Sequence, residues 1–197
     1  MSDSPYLLSF IGASLSIRES IKITEVYLRL RDWEAVKPVV KGDNLIQART
    51  LSSIQRVYQE LQPRLAQLSL EQLELLVEGN PQEQRQLLWL AVCKRYEYFR
   101  EFANEVVRDK FLRIDYQLHE FDYDAFYNRK ADWHPELDDL KDTSRQKIKT
   151  RIFRMLLEAE LITDDNRIIP AIFSQRLKDV LAPDAPMSYQ IFPIATF

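Results

Sequence analysis

Lys141 to Pro170 reads KDTSRQKIKTRIFRMLLEAELITDDNRIIP, and this stretch decides the fold. Asp142 or Thr143 can cap a helix over Ser144 to Ala159. Ile148, Ile152, Met155, Leu156 and Ala159 step by three and four, so one face is apolar. Arg145, Lys147, Lys149, Arg151 and Arg154 lie off that stripe, and Glu158 and Glu160 offset them only at the far end. Cations at a helix start oppose the helix dipole. That local cost points to an external anion facing the helix. Two β-prone triplets follow, Leu161-Ile162-Thr163 and Arg167-Ile168-Ile169, around the turn Asp164-Asp165-Asn166. They read as a small hairpin that Pro170 ends. A helix then a hairpin, after two short helical segments, is the order of a winged helix-turn-helix. Arg167 is the wing's natural contact, although two aspartates at the tip oppose it.

Upstream, the periodicity predicts a helix from Ser14 to Arg31 with Leu15, Ile21, Val26 and Leu30 inward. Asp32 caps a second helix to Val40, and Lys41-Gly42-Asp43-Asn44 supplies a tight turn. Thr50 caps a third, with Ile54, Tyr58 and Leu61 on one face and Pro63 ending or kinking it. Three helices with a turn before the third outline a helix-turn-helix. The third presents Arg49, Ser52, Ser53 and Arg56 at its start, a set suited to phosphates and base edges.

Between these ends, Ser69 with Gln72 has capping-box spacing, and Gly79 closes the helix it starts. Asn80-Pro81 opens a helix to about Arg100, apolar nearly all round from Leu87 to Val92 and so central. A further helix runs to about Arg113. Asp115 to Asp142 is acidic, with Asp122 capping one helix and His134-Pro135 opening another. No DxD pair, no spaced histidines, no Gly-rich phosphate loop, no GxSxG and no HExxH is present. The expectation is no enzyme, no metal and no cofactor. Ala171 to Leu181 reads as a last helix. Beyond it, Tyr189, Ile191, Phe192, Ile194 and Phe197 are too apolar for a free tail.

The chain of 197 residues is 46% hydrophobic, with three glycines and a net charge of −3. Scarce glycine favours helices. The acidic balance excludes a general polycation but allows a local basic patch. Cys93, the single cysteine, sits in an apolar run and reads as a core residue. The stretch Tyr6 to Ile17 is interrupted by Ser, Gly and Arg18 once it reaches Arg18, too short to span a bilayer. A cytoplasmic protein without membrane contact is expected.

The segments SIRESIKITEVYLRLRDWEAV (16–36), ARTLSSIQRVYQELQPRLAQL (48–68), FDYDAFYNRKADW (121–133), L-x-D-T-S-R-Q-K-x-K (140–149) and RMLLEAELI (154–162) together resemble BrxA. That family is the small A component of the bacteriophage exclusion (BREX) defence system, and the resemblance covers nearly the whole chain. It implies a small helical protein in a system that blocks unmarked phage DNA, and a role in binding double-stranded DNA through helix-turn-helix elements. Other BREX components, a methyltransferase and an ATPase among them, are implied partners. The family brings no catalytic motif to carry over, so the contact residues named above rest on charge and position alone.

The expected fold is all-α, a compact helical fold with helix-turn-helix-like elements and room for one short β-hairpin near 161–169. Residues 1–68 form a helix-turn-helix-like region, 69–121 a central core, and 122–197 a winged-helix-like region with a tail, packed as one monomeric unit. The expected function is non-enzymatic binding of double-stranded DNA in BREX defence. An RNA-binding, NusB-like antitermination factor and a protein-interaction adaptor are the alternatives.

Overall fold

Asn80 starts the helix around which the others pack. Its side chain accepts from the N–H groups of Gln82 and Glu83 at 2.9 and 3.0 Å, and Glu83 accepts from the Asn80 N–H at 2.8 Å. This reciprocal cap, with proline in the first position, fixes the start of α5 (Pro81–Arg95). The structure is a computed structural model in which residues 5–8, 14–47 and 49–195 are described. Every residue from Leu87 to Cys93 is buried, as the all-round apolar pattern requires. The helix does not reach Arg100. It breaks at Tyr96, whose φ and ψ are −120° and 103°. It resumes as α6 (Glu97–Phe102), a π-helical segment (Ala103–Arg108) and α7 (Asp109–Leu112). Tyr98 and Phe102 from this run pack against Tyr123 and Phe126, with ring centroids 5.2–6.5 Å apart.

The second and third helices form as their caps predict, while the first starts at Ile17, three residues later than the pattern suggests and without a side-chain cap. The three are α1 (Ile17–Leu30), α2 (Trp33–Gly42) and α3 (Leu51–Leu65). The Asp32 carboxylate accepts from Glu34 N–H at 2.9 Å, and Thr50 Oγ1 from Ser53 N–H at 3.2 Å. The inward face of α1 differs from expectation. Leu30 is 38% exposed, while Ser20 and Thr24 are buried beside Ile23 and Val26. Both hydroxyls are satisfied internally: Ser20 donates to Leu15 O and Thr24 to Ser20 O. Pro63 does not end α3. It sits inside the last turn, and the helix closes two residues later at Leu65. The turn before α3 is not tight: Asp43 to Thr50 connect the helices, with Asn44 and Gln47 left-handed. A helix-turn-helix turn takes only about three or four residues. Next, α4 (Leu70–Glu78) carries the Ser69–Gln72 capping box and stops at Gly79.

In the C-terminal third, α8 (Glu120–Ala131), α9 (Pro135–Asp138) and α10 (Asp142–Glu158) follow in order. Asp122 lies inside α8 and accepts from the His119 N–H at 2.7 Å, instead of standing before the helix. Asp142 lies within the first turn of α10, with Lys141 at the cap position and no side-chain cap. Ile148, Ile152, Met155, Leu156 and Ala159 are all buried.

The hairpin after α10 exists in miniature. Thr163 N–H donates to Arg167 O and Ile169 N–H to Leu161 O, both at 2.9 Å, around a left-handed Asn166. Tyr116 to Leu118 runs alongside, joined by Ile168 N–H to Tyr116 O and Leu118 N–H to Asn166 O. The pairing forms isolated antiparallel bridges and no strand among the described residues, so the fold is all-α.

The last helix starts later than the sequence predicts, as α11 (Gln175–Leu181) capped by Ser174. Residues 170–173 are instead held extended, with Ala171 N–H donating to Pro193 O. The tail has a helical turn, α12 (Met187–Gln190), and then packs back onto the core: Ile191, Phe192 and Ile194 are buried. Trp89 Nε1 on α5 donates to Ile191 O at 2.9 Å. Phe197 and the 9–13 portion of the Tyr6 to Ile17 stretch lie outside the described residues. No described helix is long and apolar enough to cross a membrane.

Candidate nucleic-acid interface

The cations of α10 divide by helical position. Arg145 and Lys149 are four residues apart and share the face turned to α8. Lys149 is only 9% exposed, and its Nζ lies 2.9 Å from Glu120 and 3.4 Å from Asp124. The Glu120 hydrogen bond, more than offsetting burial, holds the Lys149 ammonium above its ordinary pKa. Arg145 reaches Asp124 at 3.4 Å and lies over the Tyr127 ring at 4.3 Å. For these two, the anion that offsets an unfavourable helix dipole is internal, supplied by α8.

Lys147, Arg151 and Arg154 follow a different stripe, at i, i+4 and i+7. With Gln146 and Thr150 they line an open depression of about 400 Å³. No carboxylate is among its described lining residues. Lys147 is exposed, and Arg154 has a 64% exposed side chain even while it pairs with Glu158 at 2.9 Å. Glu158 is shared, since it also accepts from the Leu15 N–H at 2.8 Å. Arg151 is half-buried. Burial and the nearby Arg154 charge push its guanidinium pKa down against the pull of Glu60 and Glu158. Glu60 belongs to α3, so the outward stripe of α10 runs toward α3.

At the start of α3, Arg49, Ser52 and Arg56 are exposed and Ser53 is half-buried. The hydroxyls of Ser52 and Ser53 both meet Thr50 Oγ1, at 3.0 and 2.9 Å. No acidic residue occupies the first turn of α3. The positive end of this 15-residue helix therefore carries no acidic side chain of its own first turn. Arg167 is placed apart. It is exposed, its guanidinium lies over Tyr116 at 5.7 Å, and its N–H donates to Thr163. None of these contacts joins it to the cations of α10.

Two arginines that sequence reading passed over belong to the same side. Arg64 is buried in α3, donating from Nη1 to Ser14 O and stacking over Tyr96 at 5.4 Å. Arg95 closes α5. A terminal arginine there reads as an ordinary complement to the helix dipole, which hides it from pattern reading. No group of three or more His, Cys, Asp or Glu placed to hold a metal occurs among the described residues.

The sequence model of the BrxA family matches residues 4–184. The chain is 27% identical over 172 residues to BREX protein BrxA of Escherichia coli O9:H4 (strain HS), an alignment covering 87% of this chain and 81% of that one. It is 24% identical over 189 residues to BREX protein BrxA of Paramagnetospirillum magneticum (strain AMB-1), covering 96% and 92%. A crystal structure of an uncharacterized protein from Magnetospirillum magneticum has the same fold, with a TM-score of 0.80 at 20% identity over 98% of this chain and all of that one. With the family matched from residue 4 to residue 184, the chain belongs to the BrxA family.

Proposed function

We propose that this chain is a non-enzymatic component of BREX phage defence that binds double-stranded DNA. Its contacts come from Lys147, Arg151 and Arg154 on α10, supported by Arg49, Ser52, Ser53 and Arg56 at the start of α3. Arg167 is an outlying phosphate contact. The observation that carries this reading is the depression on α10, whose described lining is three cations and two neutral polar side chains. Such a surface fits a phosphate backbone. Arg145 and Lys149 serve the reading by holding α10 on α8, not by touching DNA.

The test is a salt-titrated fluorescence-anisotropy measurement with duplex DNA, single-stranded DNA and structured RNA of equal length. Wild type should prefer duplex, and its affinity should fall steeply with salt. Lys147→Glu with Arg154→Glu should keep the circular dichroism spectrum and flatten the salt slope by about 2. Equal binding by wild type and this variant sinks the assignment, and a preference for RNA replaces DNA with RNA as the ligand.

An adaptor role has one observation of its own. Phe111, Ile172, Phe173, Tyr189, Pro193 and Ile194 line an apolar groove of about 570 Å³. A protein that ignores all three nucleic acids but co-purifies with other BREX proteins would favour it.

A further inference from the structure

Buried guanidinium nitrogens without a partner are costly, so a structure that retains them needs an explanation. Arg64 is 3% exposed, yet its Nη2 is buried without a hydrogen-bond partner. Arg95 Nε is buried and unpartnered as well. Both belong to one place. Arg95 and Tyr96 line a depression of about 240 Å³ together with Arg56, Gln59, Glu60 and Pro63, and Arg64 lies over the Tyr96 ring from behind.

The break at Tyr96 creates this depression. A continuous helix would carry Arg95 onward, whereas the extended Tyr96 turns its ring toward α3. On α3, Arg56, Gln59, Glu60 and Pro63 fall at i, i+3, i+4 and i+7 and supply the opposite wall. Two guanidinium groups, Arg56 and Arg95, thus line the depression with one carboxylate, Glu60. Guanidinium is the side chain best shaped for phosphate, with planar paired donors and weak hydration.

We propose that the depression between α3 and the Tyr96 break is a phosphate-binding site, in which Arg56 and Arg95 receive one phosphate group. Its link to DNA rests on the reading above, with which it shares Arg56; Arg95 belongs to this site alone. The phosphate comes either from a nucleic-acid backbone or from a free phosphate, and the experiment separates the two.

The probes are millimolar inorganic phosphate, read as a melting-temperature shift against chloride at equal ionic strength, and duplex DNA, read by anisotropy. Wild type, Arg95→Gln and Arg56→Gln are compared. Any general salting effect of phosphate is common to all three and subtracts out. Site binding adds a stabilisation that grows with phosphate concentration. It should appear in wild type and be lost in Arg95→Gln. If Arg95→Gln fails to give the wild-type circular dichroism spectrum, the exposed Arg56→Gln decides instead. A phosphate shift absent from wild type, or retained in the deciding variant, overturns the proposal. Where the shift is lost in Arg95→Gln, a roughly tenfold weaker duplex affinity in that variant identifies the backbone as the source, since Arg95 is no part of the DNA contacts named above. Unchanged duplex affinity identifies a free phosphate. If wild type binds no duplex at all, the DNA reading fails and the phosphate shift alone judges this site.

Discussion

Lys149 on α10 and Glu120 on α8 meet at 2.9 Å, with Asp124 one helical turn along closing a second contact at 3.4 Å. The lysine is nearly buried while Glu120 is 72% exposed. Glu120 can therefore regain water if the pair is broken, and the cost falls well below that of stranding a buried charge.

Lys149→Met should destabilise the protein by about 1–2 kcal/mol in denaturant unfolding, with duplex affinity nearly unchanged. The pair lifts the Lys149 pKa, so its stabilisation is complete below the ordinary lysine value and fades as pH rises through the folded one. The stability gap between wild type and Lys149→Met should accordingly hold at neutral pH and narrow only in strong alkali. A variant that keeps full stability but loses DNA binding would return Lys149 to the interface.

Tyr6 pins the amino-terminal segment by three contacts. Its N–H donates to Glu136 at 2.6 Å, its hydroxyl donates to Glu101, and its ring stacks on His134 at 3.9 Å. Burial raises the pKa of both carboxylates, but their hydrogen bonds outweigh it and hold each below the usual range. The contribution is therefore present above the ordinary glutamate value and lost as pH falls through the lowered folded value. Hydrogen exchange at the Tyr6 amide should accelerate in that acid window while far-ultraviolet circular dichroism persists. Protection that stays constant until global unfolding would refute it.

Gly79 sits where α4 meets α5. A Cβ there would stand 2.5 Å from Leu75 O and 2.9 Å from Glu83 Oε2. Its backbone is extended, so the difficulty is space and not conformation. Gly79→Ala should cost about 1–3 kcal/mol, measured as a lower denaturation midpoint. The same carboxylate caps α5 and accepts from Ser174, so the change should also loosen residues 170–174.

Cys93 is fully buried in α5, and burial pushes its thiol pKa well up. The native protein should be silent to a thiol reagent at neutral pH and react once unfolded in urea. Rapid labelling of the native state would show that α5 opens locally.

Local signals were read well from the sequence. Asp32, Thr50, Ser69 and Asn80 cap helices because a short polar side chain satisfies N–H groups two or three residues away, whatever surrounds it. The buried stripe of α10 was equally legible. Two cap readings failed locally, since Asp122 lies inside α8 and α10 starts from Lys141 without a side-chain cap; the larger failures were nonlocal. Ala171 precedes a helix but pairs with Pro193, more than 20 residues later in the chain, so pattern alone extends the last helix too far. Lys149 looked like a solvent cation because its carboxylates lie on α8, with nothing in its own helix to betray them. Arg64 and Arg95 went unseen for the same reason: only the break at Tyr96 brings them together.

The bond from Trp89 to Ile191 has a meaning for folding. The indole at the centre of the molecule finds its acceptor 102 residues later in the chain. Its own helix can form from local contacts, but the surface that Ile191 and Phe192 cover stays open to water and to other chains until that long loop has closed.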